Sequence, residues 1–199
     1  MSQHRILVIG VGSIGERHVR CFQATGRATV SIVETNESLA SDVSSRYGVP
    51  SFRDIETALS QQPTAAVIAT PAPWHVPQST TLLQAGLHVL IEKPLSISLD
   101  SVGALKTLAD ERELTAAVAY VYRAFPVLAA MRQAIKSGRF GTPRQLTAVS
   151  GQHFPTYRPA YREIYYADRK KGGGAIQDAL THVINLGEWL VGPVDRLVA

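Results

Sequence analysis

Over the first part of the chain the apolar positions come in short dense runs, and between the runs they recur every three or four residues. The runs are Ile6–Ile9, Thr29–Glu34, Ala65–Thr70, Leu87–Glu92 and Thr115–Val121. Apolar side chains on consecutive positions are the mark of strands covered on both faces. The stretches between them predict helices. One follows Gly15 with Ile14, His18, Cys21 and Phe22 on a stripe; others cover Glu37–Tyr47, Asp54–Leu59 and Val76–Ala85, the last closed by Gly86. A further helix runs to about Glu113 from a cap at Ser98 or Asp100. Strand and helix alternating at this spacing predict an α/β fold with a doubly wound parallel sheet.

Past Val121 the pattern changes. A helix over about Ala124–Ser137 stops at Gly138, a turn follows at Phe140–Pro143, and Arg144–Phe154 reads as a longer strand. Residues 155–171 are rich in tyrosine and arginine, either as a substrate-contacting loop or as an aromatic-braced surface. Three glycines, Gly172 to Gly174, lead into a last helix over about Ala175–Leu190. This break predicts two domains, residues 1–121 and 122–199.

The chemistry starts where the first run ends. Gly10, Gly12 and Gly15 are spaced G-x-G-x-x-G between a predicted strand and a predicted helix, the arrangement of a dinucleotide-binding turn. Gly10 permits the tight turn, Gly12 lets the backbone approach a pyrophosphate, and Gly15 lets the helix pack on the strand. The amides of Ser13 and Ile14 and the positive end of the helix dipole then face the phosphates. Glu34 ends the second run 19 residues beyond Gly15, where a carboxylate binds ribose hydroxyls. A carboxylate there disfavours a 2′-phosphate, which predicts NAD in preference to NADP. The alternative for Glu34 is a solvated acid at a strand end.

Two later runs end in polar segments on the same carboxyl edge, where doubly wound sheets bind ligands. Pro71 and Pro73 predict extended backbone, so a loop leaves Thr70 on that edge, where Thr70, Pro71 and His75 are expected among the cofactor residues. Glu92 and Lys93 are expected there from the next strand. On the last helix, a spacing of 100° per residue puts Asp178, His182, Asn185 and Trp189 in one arc. Ile176, Leu180, Val183, Ile184, Leu190 and Val191 form its apolar back. Asp178 and His182, four apart, suit a carboxylate-oriented general base, or a structural pair. One His and one Asp fall short of a metal-ligand set, so no metal is expected. Cys21, alone in a predicted helix, reads as packing rather than as a nucleophile.

Composition adds limits. At 45% hydrophobic and 18% charged the chain has the balance of a soluble globular protein. No apolar run is long enough to span a bilayer and no signal sequence precedes the first strand, so membrane association is not expected and a cytoplasmic setting is. Residues 1–119 hold 9 basic against 11 acidic side chains, and residues 120–199 hold 11 against 5. That basic second part suits an anionic small substrate or an uneven solvated surface. Its charges are dispersed and carry no nucleic-acid motif, so nucleic acid is not expected.

Taken in order, the glycine turn, Thr70-Pro71 with His75, Glu92-Lys93-Pro94, and Gly172–Gly174 with Asp178 and His182 resemble the glucose-fructose oxidoreductase / inositol 2-dehydrogenase / MocA family. The resemblance implies a Rossmann domain followed by an α/β domain with an open antiparallel sheet used for oligomerisation. It implies NAD(P)-linked oxidation of a secondary hydroxyl of a sugar, cyclitol or sugar acid, with Lys93, Asp178 and His182 as the catalytic residues. Arg123, Tyr161 and Arg162 would anchor the substrate's polar groups. Gly192–Ala199 looks like the start of a strand where family members go on to build most of the sheet, so the second domain is expected to be only begun here. A homo-oligomer is implied once that domain is complete. Two other readings stay open: an NAD-using glycosidase of related fold, and a non-catalytic dinucleotide-binding sensor or interaction module.

Overall fold

The computed structural model describes residues 4–151, 156, 168, 173–174 and 176–198. They fall into two compact units, residues 1–119 and 120–199.

The first unit alternates strand and helix throughout. Its strands are β1 (His4–Ile9), β2 (Ala28–Val33), β3 (Ser51–Phe52), β4 (Ala65–Ile68), β5 (His88–Ile91) and β6 (Ala116–Val118). Its helices are α1 (Ser13–Ala24), α2 (Glu37–Tyr47), α3 (Ile55–Ala58), α4 (His75–Gln84) and α5 (Val102–Glu111). The sheet runs β3-β2-β1-β4-β5-β6 with every neighbouring pair parallel, the doubly wound order with its reversal point between β1 and β4. Both faces are buried, which is why the runs carry no alternation. Leu7 and Ile9 of β1 join Ile68, Leu82, Leu83 and Ile91 in one core, while Ile6 and Val8 join Val19, Ile32, Val43 and Val67 in the other.

Local sequence explains the helix ends. Asn36 caps α2 by accepting from the Leu39 amide at 3.0 Å, and Gly48 closes it in the left-handed conformation. Asp54 caps α3 through the Thr57 amide at 2.7 Å. Three expectations need correction. Neither Ser98 nor Asp100 caps α5: the Ser98 hydroxyl bonds the Asp100 carboxylate at 3.0 Å, and the helix starts beyond them at Val102. Pro73 lies in a 3-10 turn, Ala72–Trp74, while Pro71 alone keeps extended backbone, because proline's φ serves a first helical turn as well. Cys21 is exposed, since α1 turns Gly15, Val19 and Phe22 toward the sheet instead.

The second unit holds a 3-10 turn (Val121–Ala124), α6 (Pro126–Lys136), a π turn (Ile176–Leu180) and α7 (Thr181–Val191). Residues 144–151 are exposed and form no strand, contrary to expectation. A strand is held by its ladder, and among the described residues no neighbour pairs with them. The aromatic-rich stretch lies almost wholly outside the described residues.

Candidate functional site

The parallel register lines up four loop starts on one edge of the sheet. Backbone bonds continue past the strand ends, from Gly10 to Val33, Ala69 to Ile9, Glu92 to Ile68 and Ala119 to Ile91, each at 2.8–2.9 Å. Gly10, Ala69, Glu92 and Ala119 therefore stand in a row at the carboxyl edge, with the reversal point between the first two.

The glycines of the first loop are not equivalent. A Cβ on Gly15 would lie 1.9 Å from the Gly10 carbonyl oxygen, so the loop closes on α1 only with glycine there. Gly10 has φ +78°, and its Cβ would meet the Ala69 oxygen and Thr70 Cγ2 at 3.0 Å. Gly12 differs: nothing lies within 4 Å of its Cβ position, so internal packing places no demand on it. It precedes α1 without a side-chain cap, and Ser13 and Ile14 behind it are exposed. An uncapped helix start beside a glycine loop at the reversal point fits the diphosphate of a dinucleotide. Glu34 stands beside it; its carboxylate accepts from the Val11 amide at 3.0 Å and the Asn36 amide at 2.9 Å.

His75, grouped with the cofactor residues by sequence, is buried with both ring nitrogens on backbone oxygens, Nδ1 on Pro94 at 2.8 Å and Nε2 on Thr70 at 2.7 Å. It clamps the Thr70-Pro71 loop to the Lys93-Pro94 loop. Burial pushes its imidazole below the usual range, against the two carbonyls and Glu92, which favour the charged form. A neutral ring has one N–H and serves one carbonyl; only the imidazolium serves both. The Thr70 hydroxyl donates to Gln78 Oε1 at 2.7 Å. Glu92 is buried, with Oε1 2.7 Å from His18 Nε2 and Oε2 accepting from the Lys93 amide at 3.2 Å. Lys93 is half-buried at the tip of β5. His18 sits on the predicted stripe of α1, and its partner lies 74 positions away, beyond any local signal.

In the second unit the polar stripe of the last helix is held by the segment after β6. His182 stacks on Tyr122 at 5.0 Å between ring centroids and meets Tyr120 edge-on at 6.1 Å. The Tyr120 and Thr181 hydroxyls are 3.1 Å apart, and Arg123 Nε donates to Asn185 Oδ1 at 2.8 Å. Arg132 of α6 donates to the Trp189 carbonyl at 2.9 Å and lies over its ring at 4.7 Å. Arg123, expected as a substrate anchor, thus braces the helix through Nε.

Asp178 is buried, while of the apolar back Leu190 is buried, Val183 half-buried and Ile176, Leu180, Ile184 and Val191 exposed, so burial does not follow the two-sided pattern. The π turn over Ile176–Leu180 also interrupts the 100° spacing assumed for Asp178 and His182. Tyr161, Arg162 and Gly172 lie outside the described residues. Among the described residues no three His, Cys, Asp or Glu side chains form a metal-ligand group, and no helix is long and apolar enough to cross a membrane.

A family model described as an oxidoreductase family with an NAD-binding Rossmann fold matches residues 4–120, and a GFO/IDH/MocA C-terminal domain model matches residues 128–199. The chain is 28% identical over 197 residues to a UDP-N-acetylglucosamine 3-dehydrogenase of Acidithiobacillus ferrooxidans, covering 98% of this chain and 57% of the relative. It is 34% identical over 159 residues to an inositol 2-dehydrogenase of Mycolicibacterium smegmatis, covering 75% and 45%. The WlbA dehydrogenase of Bordetella pertussis, solved with NADH and UDP-GlcNAcA, superposes with a TM-score of 0.81 at 26% identity over 98% of this chain and 59% of that one. The chain spans about half the length of these relatives.

Proposed function

The chain belongs to the GFO/IDH/MocA oxidoreductase family, and from that membership we propose that it serves an NAD-dependent dehydrogenase acting on a secondary hydroxyl of a sugar, cyclitol or sugar-acid derivative. The observation that carries this reading is the open start of α1. Gly10 and Gly15 are explained by the fold's own packing, whereas Gly12 is small with nothing beside it, as a site for an approaching diphosphate requires. Glu34 beside that loop supports NAD over NADP, because a 2′-phosphate would meet a carboxylate.

Bound NAD supplies the hydride acceptor. His182 would take the proton of the reacting hydroxyl, its ring plane set by stacking on Tyr122, and Asp178 would favour the charged imidazole. Lys93, a cation at the tip of β5, would stabilise the negative charge that develops on a reacting hydroxyl. Arg123, through its terminal nitrogens, and Tyr161 and Arg162 would hold substrate polar groups, which suits an anionic sugar. Relatives that act on or bind UDP-N-acetylglucosamine derivatives and inositol support that substrate class. We expect a homo-oligomer once the second domain is complete, and a cytoplasmic setting.

Two measurements test the reading. Fluorescence titration should show NADH binding more tightly than NADPH, with Glu34→Ala narrowing the gap. A screen of cyclitols, free sugars and nucleotide-linked uronic acids should then give NADH absorbance with at least one compound, lost in Lys93→Ala and in His182→Ala. Turnover without net NADH would indicate glycosidase-type chemistry, and tight NADH binding with activity indifferent to both substitutions would leave a binding module.

A further inference from the structure

The Glu92 carboxylate is buried at the end of β5, and each of its oxygens has a different partner. Oε1 meets His18 Nε2 at 2.7 Å, and Oε2 accepts from the backbone amide of Lys93 at 3.2 Å. A carboxylate oxygen accepts, so the tautomer that makes this contact a hydrogen bond is the one with the proton on His18 Nε2. The side chains of His18 and Glu92 are 18% and 11% exposed, which shields their attraction from the solvent screening that weakens surface pairs. His18 lies on α1 one turn beyond Gly15, so the pair connects the helix that starts at the phosphate loop to the peptide carrying Lys93.

Resting on the dehydrogenase reading above, we propose that His18 is a positioning residue for Lys93. Its Nε2–H fixes one oxygen of Glu92, and the other oxygen then sets the orientation of the Lys93 peptide. Without the imidazole, Oε1 is left buried without that donor, and Glu92 turns toward whatever donor or water it can reach. The Lys93 amide then loses its acceptor and the lysine its fixed starting point. Misplacing a catalytic group by a fraction of an ångström lowers turnover with little effect on the binding of a cofactor held elsewhere. His18 thus acts on the reaction without touching substrate. A residue that merely glued α1 to the sheet would change stability alone.

The test uses the whole chain, His18→Leu, which keeps volume and removes the donor, and His18→Gln, whose amide nitrogen takes the place of Nε2. In ¹⁵N–¹H spectra of the unaltered protein, His18 should show a protonated Nε2; a bare Nε2 overturns the proposal. The Lys93 amide resonance should move in His18→Leu and return toward its original position in His18→Gln, and an unmoved resonance overturns it as well. With whichever compound the screen identifies, His18→Leu should lower kcat on the order of tenfold while KM for NAD stays within about twofold, and His18→Gln should recover most of the loss. Equal losses in kcat and NADH affinity would assign His18 to cofactor binding instead. If no compound is turned over, the dehydrogenase reading fails by itself, and the two spectroscopic outcomes still decide whether His18 sets Lys93.

Discussion

The two units bury their apolar side chains very differently. In residues 4–119 the runs of β1, β2, β4 and β5 disappear between helices on both sides, and the large apolar side chains left exposed are scattered: Ile14, Trp74, Ile97 and Leu99. In the second unit Leu190 is the buried apolar side chain among the described residues, while Val127, Met131, Phe140, Ile176 and Leu197 are exposed. A parallel sheet between two helical layers is closed by its own sequence neighbours, because each crossover helix returns to the sheet it left. Among the described residues of the second unit no strand is present for the apolar faces of α6 and α7 to cover. The first unit therefore has the makings of an independent folding unit, and the second relies on more apolar cover than its described residues provide.

The largest expected effect breaks that comparison directly. A fragment of residues 1–119 should unfold cooperatively on heating and still bind NADH, whereas residues 120–199 alone should bind a hydrophobic dye and melt without a clear transition. A sharp melt from the second fragment would end the contrast. Single truncations sharpen it. Leu7→Ala, in the first core, should cost about 2–5 kcal/mol in denaturant titration, and Ile184→Ala, on the exposed side of α7, within about 0.5 kcal/mol.

Next in size are the glycines, where fold and ligand make separate demands. Gly15→Ala should destabilise the first unit by about 1–3 kcal/mol, since its Cβ would lie 1.9 Å from a backbone oxygen. Gly12→Ala should leave the melting temperature in place and weaken NADH about tenfold, because the room it takes is the ligand's. If Gly12→Ala instead destabilises the apoprotein and leaves NADH affinity alone, the open-loop argument is wrong.

The smallest expected effect is a slope. The folded-state pKa of His75 is lowered by burial, so as pH falls below the usual histidine range the unfolded chain takes up a proton that the folded chain resists. Stability is full above that range and declines from there down to the folded pKa. The melting temperature should thus fall less steeply between about pH 7 and pH 5 in His75→Gln than in the unaltered chain. Equal slopes would mean that the two carbonyls and Glu92 offset the burial.

Much of the first unit could be read from residue order. Dense apolar runs identified β1, β2, β4 and β5, Gly48 and Gly86 marked helix ends, and Gly10, Gly12 and Gly15 marked the turn between β1 and α1. Errors came where a local rule had a competitor. Ser98 bonds Asp100 rather than capping α5, and residues 144–151 have strand-like composition without a ladder. For the last helix the two-sided pattern was legible and the burial was not, since the π turn over Ile176–Leu180 breaks the 100° spacing and burial falls on Asp178 as well as Leu190.

By itself, then, the sequence determined what depends on near neighbours: the period of each element, the turns glycine allows, and the chemistry offered at each strand end. Tertiary structure alone decided what depends on residues far apart in the chain. It set His18 against Glu92, gave both nitrogens of His75 to carbonyls of two loops, and placed Tyr122 under His182. Hydrogen-bond and stacking partners are chosen by the register of packed elements, and register is a property of the whole sheet rather than of any one segment.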